Sequence, residues 1–216
     1  MGTEPTTVKD VLLAKHHDIT TFASKDQNRY VLQSVHYNEK EKLLEAVSGR
    51  VLIRVPVVEA TEDMKDPLPP VSVGAPARDC LIPIAPFKKA LDNIPNGGSP
   101  ESVKWMRLGV TGQESSTKVN LTTFDLETEQ NIACKPIDGQ FPNCNQVMPK
   151  DEPKLTITIS AHLLKIVADY AAKYHRNAAD NAGIKLEFID DISPVKFSLP
   201  VGDTTAVGVI MPMRTS

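Results

Sequence analysis

Two stretches of this chain run through the same order of elements, and that repetition limits the fold more than any other feature. From Asp79, "DCLIPI" reads as a short strand and "APFKKALDNI" as an amphipathic helix, with Pro86 inside the first turn. Phe87, Leu91 and Ile94 form its apolar stripe, while Lys88, Lys89 and Asp92 lie away from it. Three strand-like runs follow: "VKWMRLGV", "TKVNLTTF" and "EQNIACKPI". After Lys154 the order returns. "KLTITI" reads as a strand, and Ser160 as the N-cap of "AHLLKIVADYAAKYHR". That helix places Leu163, Val167, Tyr170 and Tyr174 on one side and Lys165, Asp169, Lys173 and Arg176 round the other. "IKLEFID", "PVKFSLPV" and "TAVGVIMPM" are again three strands.

The segment from Thr7 to Val58 reads as an incomplete third copy. Val8, Val11, Leu12, Ile19 and Phe22 suggest an irregular helix between Thr7 and Ser24, with no clear leading strand before it. The run from Arg29 to Val57 then predicts strands, with turns at Asn38–Lys42 and at Ser48-Gly49. Residues Glu59 to Ala77, with "EDMKDPLPP", read as a surface loop. Each copy would lay one helix on one antiparallel sheet, burying the apolar stripe and turning its lysines to solvent. The fold class is therefore α+β, built from repeats of one helix packed on an antiparallel sheet.

At 216 residues the chain suits one large domain or a domain plus a fraction of another. Its three cysteines, Cys80, Cys134 and Cys144, form no C-x-x-C pair. An odd number without such a pair reads as buried free thiols in a reducing cytoplasm. No apolar run approaches the ~20 residues of a membrane span, and no signal-peptide pattern opens the chain. His16-His17 are adjacent instead of i, i+4, so they read as helix-surface residues and not metal ligands. Gly97-Gly98 follow an asparagine and read as a turn, and Asp190-Asp191 as a hairpin turn. With no nucleophile elbow, phosphate loop or acid–base pair in the sequence, the chain reads as non-enzymatic, with no cofactor and no metal.

A net charge of -3 does not favour nucleic acid, and aromatics at 5% are too few for a base-stacking surface. Lysines nevertheless face away from the apolar stripe on both repeated helices. One reading is a solvated helix face; the other is a surface that tracks phosphates with point charges. The residues on the second reading are Lys88, Lys89, Lys165, Lys173 and Arg176.

Two motifs give the repeats a context. "GQFPNCNQVMPK" carries Gly139, Phe141, Pro142, Val147, Pro149 and Lys150; "VIMPMR" carries Val209, Met211, Pro212, Met213 and Arg214. With "RYVLQSVHYN" and "AVSGRVLIRVPV", they make the chain resemble the bacterial DNA sliding clamp, the β subunit of DNA polymerase III. The resemblance covers nearly the whole chain and is weakest before Asp26 and across Glu59 to Ala77. It implies clamp-like repeats, two per domain, with helices lining a hole round duplex DNA and sheets outside. Residues 1–150 would be a clamp-like domain of two repeats. Residues 151–216 would be a third repeat, a half domain completed by dimerisation, so a homodimer or higher homo-oligomer is expected.

The resemblance also implies a pocket between the middle and last domains for short Gln- and Leu/Phe-containing peptides of DNA polymerases, the clamp loader or repair proteins. By position that pocket would draw on Leu32, Gly49, Arg50, Leu52, Pro142 and Val147, with Val209, Met211, Pro212, Met213 and, at the rim, Arg214. Methionine suits such a site because its unbranched thioether repacks around different ligands. The chain departs from the family in having Gln146 where arginine is common, and Arg50-Val51 in place of a His-Arg pair. The leading reading is a cytoplasmic processivity factor for DNA replication or repair that binds partner peptides and encircles or tracks duplex DNA. One alternative is a regulator that binds no DNA and competes with a full-length clamp for partner peptides. Another is an unrelated binding module sharing only repeated αβ architecture.

Overall fold

Asp10 to Ser24, the described part of the segment expected to be helical from Thr7, does not form that helix. A computed structural model gives the structure of residues 10–60, 68–72, 75–95, 99–113, 116–125, 127–174, 183–201 and 204–213. In it Val11–Leu13 is a strand, β1, with all three side chains buried. Short 3-10 turns at Lys15–His17 and Thr20–Phe22 follow. Local side-chain bonds favour turns over helix here: Asp18 accepts from the Thr20 amide at 3.2 Å and from its hydroxyl at 2.5 Å. His17 is correspondingly not on a helix surface. It is fully buried, with Nδ1 accepting from the Ala14 amide at 2.9 Å and Nε2 donating to the Pro56 carbonyl at 3.0 Å. Burial pushes its pKa down, keeping the ring neutral in the tautomer those two bonds require.

The chain divides into two compact units, Met1–Met148 and Pro149–Ser216. In the first, β2 (Ser34–Asn38), β3 (Leu43–Val47) and β4 (Leu52–Pro56) form an antiparallel meander. The residues just before it, Gln27–Leu32, form a 3-10 turn and not a strand. β5 (Val58–Glu59) comes next, where a loop was expected to begin. Within that expected loop, residues 61–67, 73 and 74 lie outside the described residues. Then come β6 (Cys80–Pro83), helix α1 (Ile84–Asp92), β7 (Met106–Thr111), β8 (Lys118–Phe124) and β9 (Glu129–Cys134). The Gly97-Gly98 turn lies outside the described residues.

Two antiparallel sheets result, one ordered β5-β1-β7-β8-β9 and the other β4-β3-β2-β6. Their composition crosses the repeats. β1 leads the first repeat yet pairs with β7 of the second, Leu12 opposite Arg107. β6 leads the second repeat yet pairs with β2 of the first, Val35 opposite Ile82. Each repeat therefore completes the other's sheet.

Helix α1 packs against β2 and β6 of one sheet and β8 and β9 of the other. Its stripe of Phe87, Ala90, Leu91 and Ile94 is buried, while Lys88, Lys89 and Asp92 are exposed. Pro86 is accommodated because the first-turn amides have no intrahelical acceptor. One apolar core joins Leu13, Val35, Tyr37, Leu44, Ile82, Phe87, Met106 and Leu121. All three cysteines are free, and burial pushes the Cys80 thiol up to about 12.

The second unit holds helix α2 (Ala161–Tyr174) and the strands β10 (Lys185–Glu187), β11 (Val195–Val201) and β12 (Thr204–Ile210). These form a three-stranded antiparallel sheet ordered β10-β11-β12. "KLTITI" is not a full strand: it contributes a single bridge, Ile159 opposite Pro212. On α2 only Ala171 is buried, and Leu163, Tyr170 and Tyr174 of the expected core stripe are exposed. Asp190 organises the β10–β11 turn, accepting from the Ile192 amide at 3.0 Å and the Ser193 hydroxyl at 2.8 Å. No helix among the described residues is long and apolar enough to cross a membrane.

Because Phe87 is fully buried between both sheets of the first unit, Phe87→Ala should cost about 3–5 kcal/mol. Urea unfolding followed by circular dichroism would measure it, and a loss below about 1 kcal/mol would contradict this packing.

Candidate functional site

Six of the residues expected at a peptide site lie in the first unit. Leu32 ends the 3-10 turn, Gly49 and Arg50 occupy the β3–β4 turn, and Leu52 opens β4. Pro142 and Val147 lie in the segment after β9, where Val147 is 69% exposed. The 3-10 turn meets both neighbours. Gly49 has φ +90°, and a Cβ there would stand 2.4 Å from Arg29 Nη1. Gly139 has φ +150°, and a Cβ there would stand 2.6 Å from Val31 Cγ2. Both backbone positions thus need glycine for conformation and for space.

Side chains that the sequence reading did not single out fix the 139–147 segment to the four-stranded sheet. Arg54 on β4 donates from Nε to Glu45 at 2.8 Å and from Nη1 to Asn145 Oδ1 at 2.8 Å, and also bonds Glu41. Asn145 donates back to Glu41 at 2.7 Å. Behind Arg54, Glu45 is 2% exposed and bonds His36 Nδ1 at 2.8 Å. The other ring nitrogen of His36 bonds Asp79 at 3.1 Å, and the ring packs on Phe141 with centroids 4.7 Å apart. Burial opposes charge on His36, but the bonds to Glu45 and Asp79, with their charges, raise its pKa overall. Burial likewise opposes ionisation of Glu45, and is outweighed by His36 and Arg54, so its pKa falls. The result is a relay of polar side chains, His36–Glu45–Arg54–Asn145, that ties the segment carrying Pro142 and Val147 to the sheet at Phe141 and Asn145. A cavity of about 510 Å³ opens beside His36, lined by Asp79, Leu81, Thr117 and residues 136–141. None of the six expected peptide residues lines it.

In the second unit, β12 and the residues after it alternate. Val207, Val209, Met211 and Met213 are 61%, 62%, 58% and 53% exposed, while Ile210 is buried. With a strand period of two, these four apolar side chains share one face. Val207 was not anticipated, and its spacing of two from Val209 was the available signal. The backbone beneath is engaged: Met213 donates its amide to Thr158 at 2.8 Å, beside the Ile159–Pro212 bridge. Arg214 lies outside the described residues.

Lys88 and Lys89 stand exposed on α1, and Lys165 and Lys173 on α2. Lys165 is paired with Asp169 at 2.8 Å, and Lys173 lies 5.0 Å from the Tyr174 ring centroid. Arg176 lies outside the described residues.

No protein-family model matches the sequence, and no curated protein matches it either. Solved structures do. The DNA polymerase III β chain of Streptococcus pneumoniae superposes with a TM-score of 0.64 at 14% identity, covering 99% of this chain and 52% of that one. The β subunit of the DNA polymerase of Streptococcus pyogenes gives a TM-score of 0.64 at 11% identity, with 99% and 53% coverage. This chain has the fold of the DNA polymerase III β subunit. It spans about half the length of those β subunits. At such identity the backbone architecture is what is shared, and function has to be argued from the residues it displays.

The relay gives a pH test. A raised His36 pKa means its contribution is fully present below about pH 6.5 and is lost as pH rises through the folded value. Glu45 has the opposite sign: its contribution is lost as pH falls through its lowered value. His36→Ala should therefore destabilise more at about pH 6 than at about pH 9. Urea midpoints at the two values would measure this, and equal losses would remove the charged relay.

Proposed function

We propose that the protein is a clamp-like processivity factor of DNA replication or repair that binds short peptides of its partner proteins. The observation that carries this reading is the exposed apolar row on β12 and the residues just after it, Val209, Met211 and Met213, in a chain with the β-subunit fold. Peptide recognition is assigned to two sets of residues, one in each unit. Leu32, Gly49, Arg50, Leu52, Pro142 and Val147 form the first; Val209, Met211, Pro212, Met213 and Arg214 form the second. Polymerases, a clamp loader or repair proteins would supply the peptide, and its apolar side chains would cover the methionines. Lys88, Lys89, Lys165, Lys173 and Arg176 would face duplex DNA through its phosphates.

A second reading has its own support. Each helix carries two lysines and one aspartate, and Lys165 is tied to Asp169. So weak a positive face suits a regulator that captures partner peptides without holding DNA.

Fluorescence anisotropy of a labelled Gln- and Leu/Phe-containing peptide tests the shared claim. Binding with a Kd near 1 μM is expected, weakened about tenfold by Met213→Ala. If neither form binds, the methionines have no recognition role. Electrophoretic mobility on duplex DNA with Lys88, Lys89, Lys165 and Lys173 changed to Glu separates the two readings. Loss of a salt-sensitive complex supports the processivity factor, and no complex with either form supports the regulator.

A further inference from the structure

The three repeats share a local plan, and the third departs from it in one respect. In each, the chain leaving the last strand returns to its own leading segment. β5 pairs with β1, Leu12 opposite Val58. Ile137 donates its amide to Leu81 of β6 at 2.9 Å, and Met213 donates to Thr158 at 2.8 Å. In the first two repeats the leading strand has a second neighbour, the first long strand of the other repeat: β7 for β1, and β2 for β6. In the second unit the leading segment has none. Among the described residues, β10 pairs only with β11, and no strand lies on the other side of residues 155–159.

That leaves two complementary open edges. Neighbouring residues of a strand turn their backbone groups in opposite directions. Since Thr158 faces Met213, Ile157 and Ile159 turn theirs away from it. "LTITI" alternates apolar and polar residues, and so does Lys185-Leu186-Glu187 of β10, so each strand has one apolar and one polar face. Leu155 is 43% exposed, whereas Leu81 and Ile82 of β6 are buried. The helix is uncovered as well. α1 buries its stripe because two sheets enclose it; on α2, which packs on β11, Leu163, Ile166 and Tyr170 stand exposed.

We infer that a second copy of this chain completes the second unit, each copy laying residues 155–159 along β10 of the other. The reciprocal exchange already present between the two repeats of the first unit becomes, across a two-fold axis, an exchange between chains. The two α2 stripes are then enclosed by two sheets, as α1 is. This inference stands apart from the peptide and DNA readings, since it uses neither surface.

Light scattering on a sizing column, at about 100 μM so that a micromolar Kd leaves little monomer, should give twice the chain mass of 23.6 kDa. Two variants locate the contact. Ile157→Pro removes an amide from the outward edge while sparing the Thr158–Met213 bond. Ile166→Glu alters a side chain that is 52% exposed, so the isolated fold keeps its packing. Both should run at the single-chain mass with unchanged circular dichroism, and the Ile159 amide should exchange at least tenfold faster with deuterium than in the wild-type dimer. A monomeric wild type overturns the inference. So does a dimer that survives Ile166→Glu, or a wild-type dimer whose Ile159 amide exchanges as fast as in the variant.

Discussion

Strand exchange between repeats is the constraint on which the first unit depends. β1 is three residues long, pinned on one side by two residues of β5 and on the other by β7. No local signal could hold so short a strand, since isolated pairs of this size are marginal in water. It persists because Val11, Leu12 and Leu13 are all buried in the sheet of the opposite repeat. The same holds for β6 against β2. Removing either repeat strips a paired strand from the other's sheet and a wall from α1, so the two repeats form one cooperative body. Their pairing is also non-local, which makes the loop-closure cost a large part of folding.

This constraint explains what was legible in the sequence. The second repeat was: its helix stripe has a clean helical period, and β7, β8 and β9 are bounded by turns. The first repeat's leading element was misread because Val8, Val11 and Leu12 have helical spacing. A strand buried on both faces is a continuous apolar run, which periodicity alone does not distinguish from part of a buried helix. The opposite error befell "KLTITI". Its alternation is a strand pattern, yet among the described residues it makes one bridge, Ile159 opposite Pro212.

Legibility of the candidate site divides along the same line. Val209, Met211 and Met213 could be read from spacing, since the strand period alone places them on one face. The relay through His36, Glu45, Arg54 and Asn145 could not, because its members are brought together by β-sheet register: His36 opposite Glu45, and Glu45 opposite Arg54. Charged residues at alternate strand positions ordinarily signal solvent. Here register stacks a histidine, a carboxylate and a guanidinium across three strands, so the buried Glu45 has a hydrogen-bond partner on both sides.

The chain's end joins the two themes. Backbone and side chains of residues 211–213 have separate tasks. The Met213 amide is bonded to Thr158, and Pro212, which has no amide to give, sits at the bridge with Ile159. The backbone is thereby held in place, while Met211 and Met213 project outward, both more than half exposed. A ligand covering them would meet a fixed strand and adaptable side chains, and would have no backbone ordering to oppose it. Because the bond that fixes the strand runs to Thr158, the order of the terminal strand depends on the leading segment. Whatever steadies residues 155–159 therefore also steadies the methionine row.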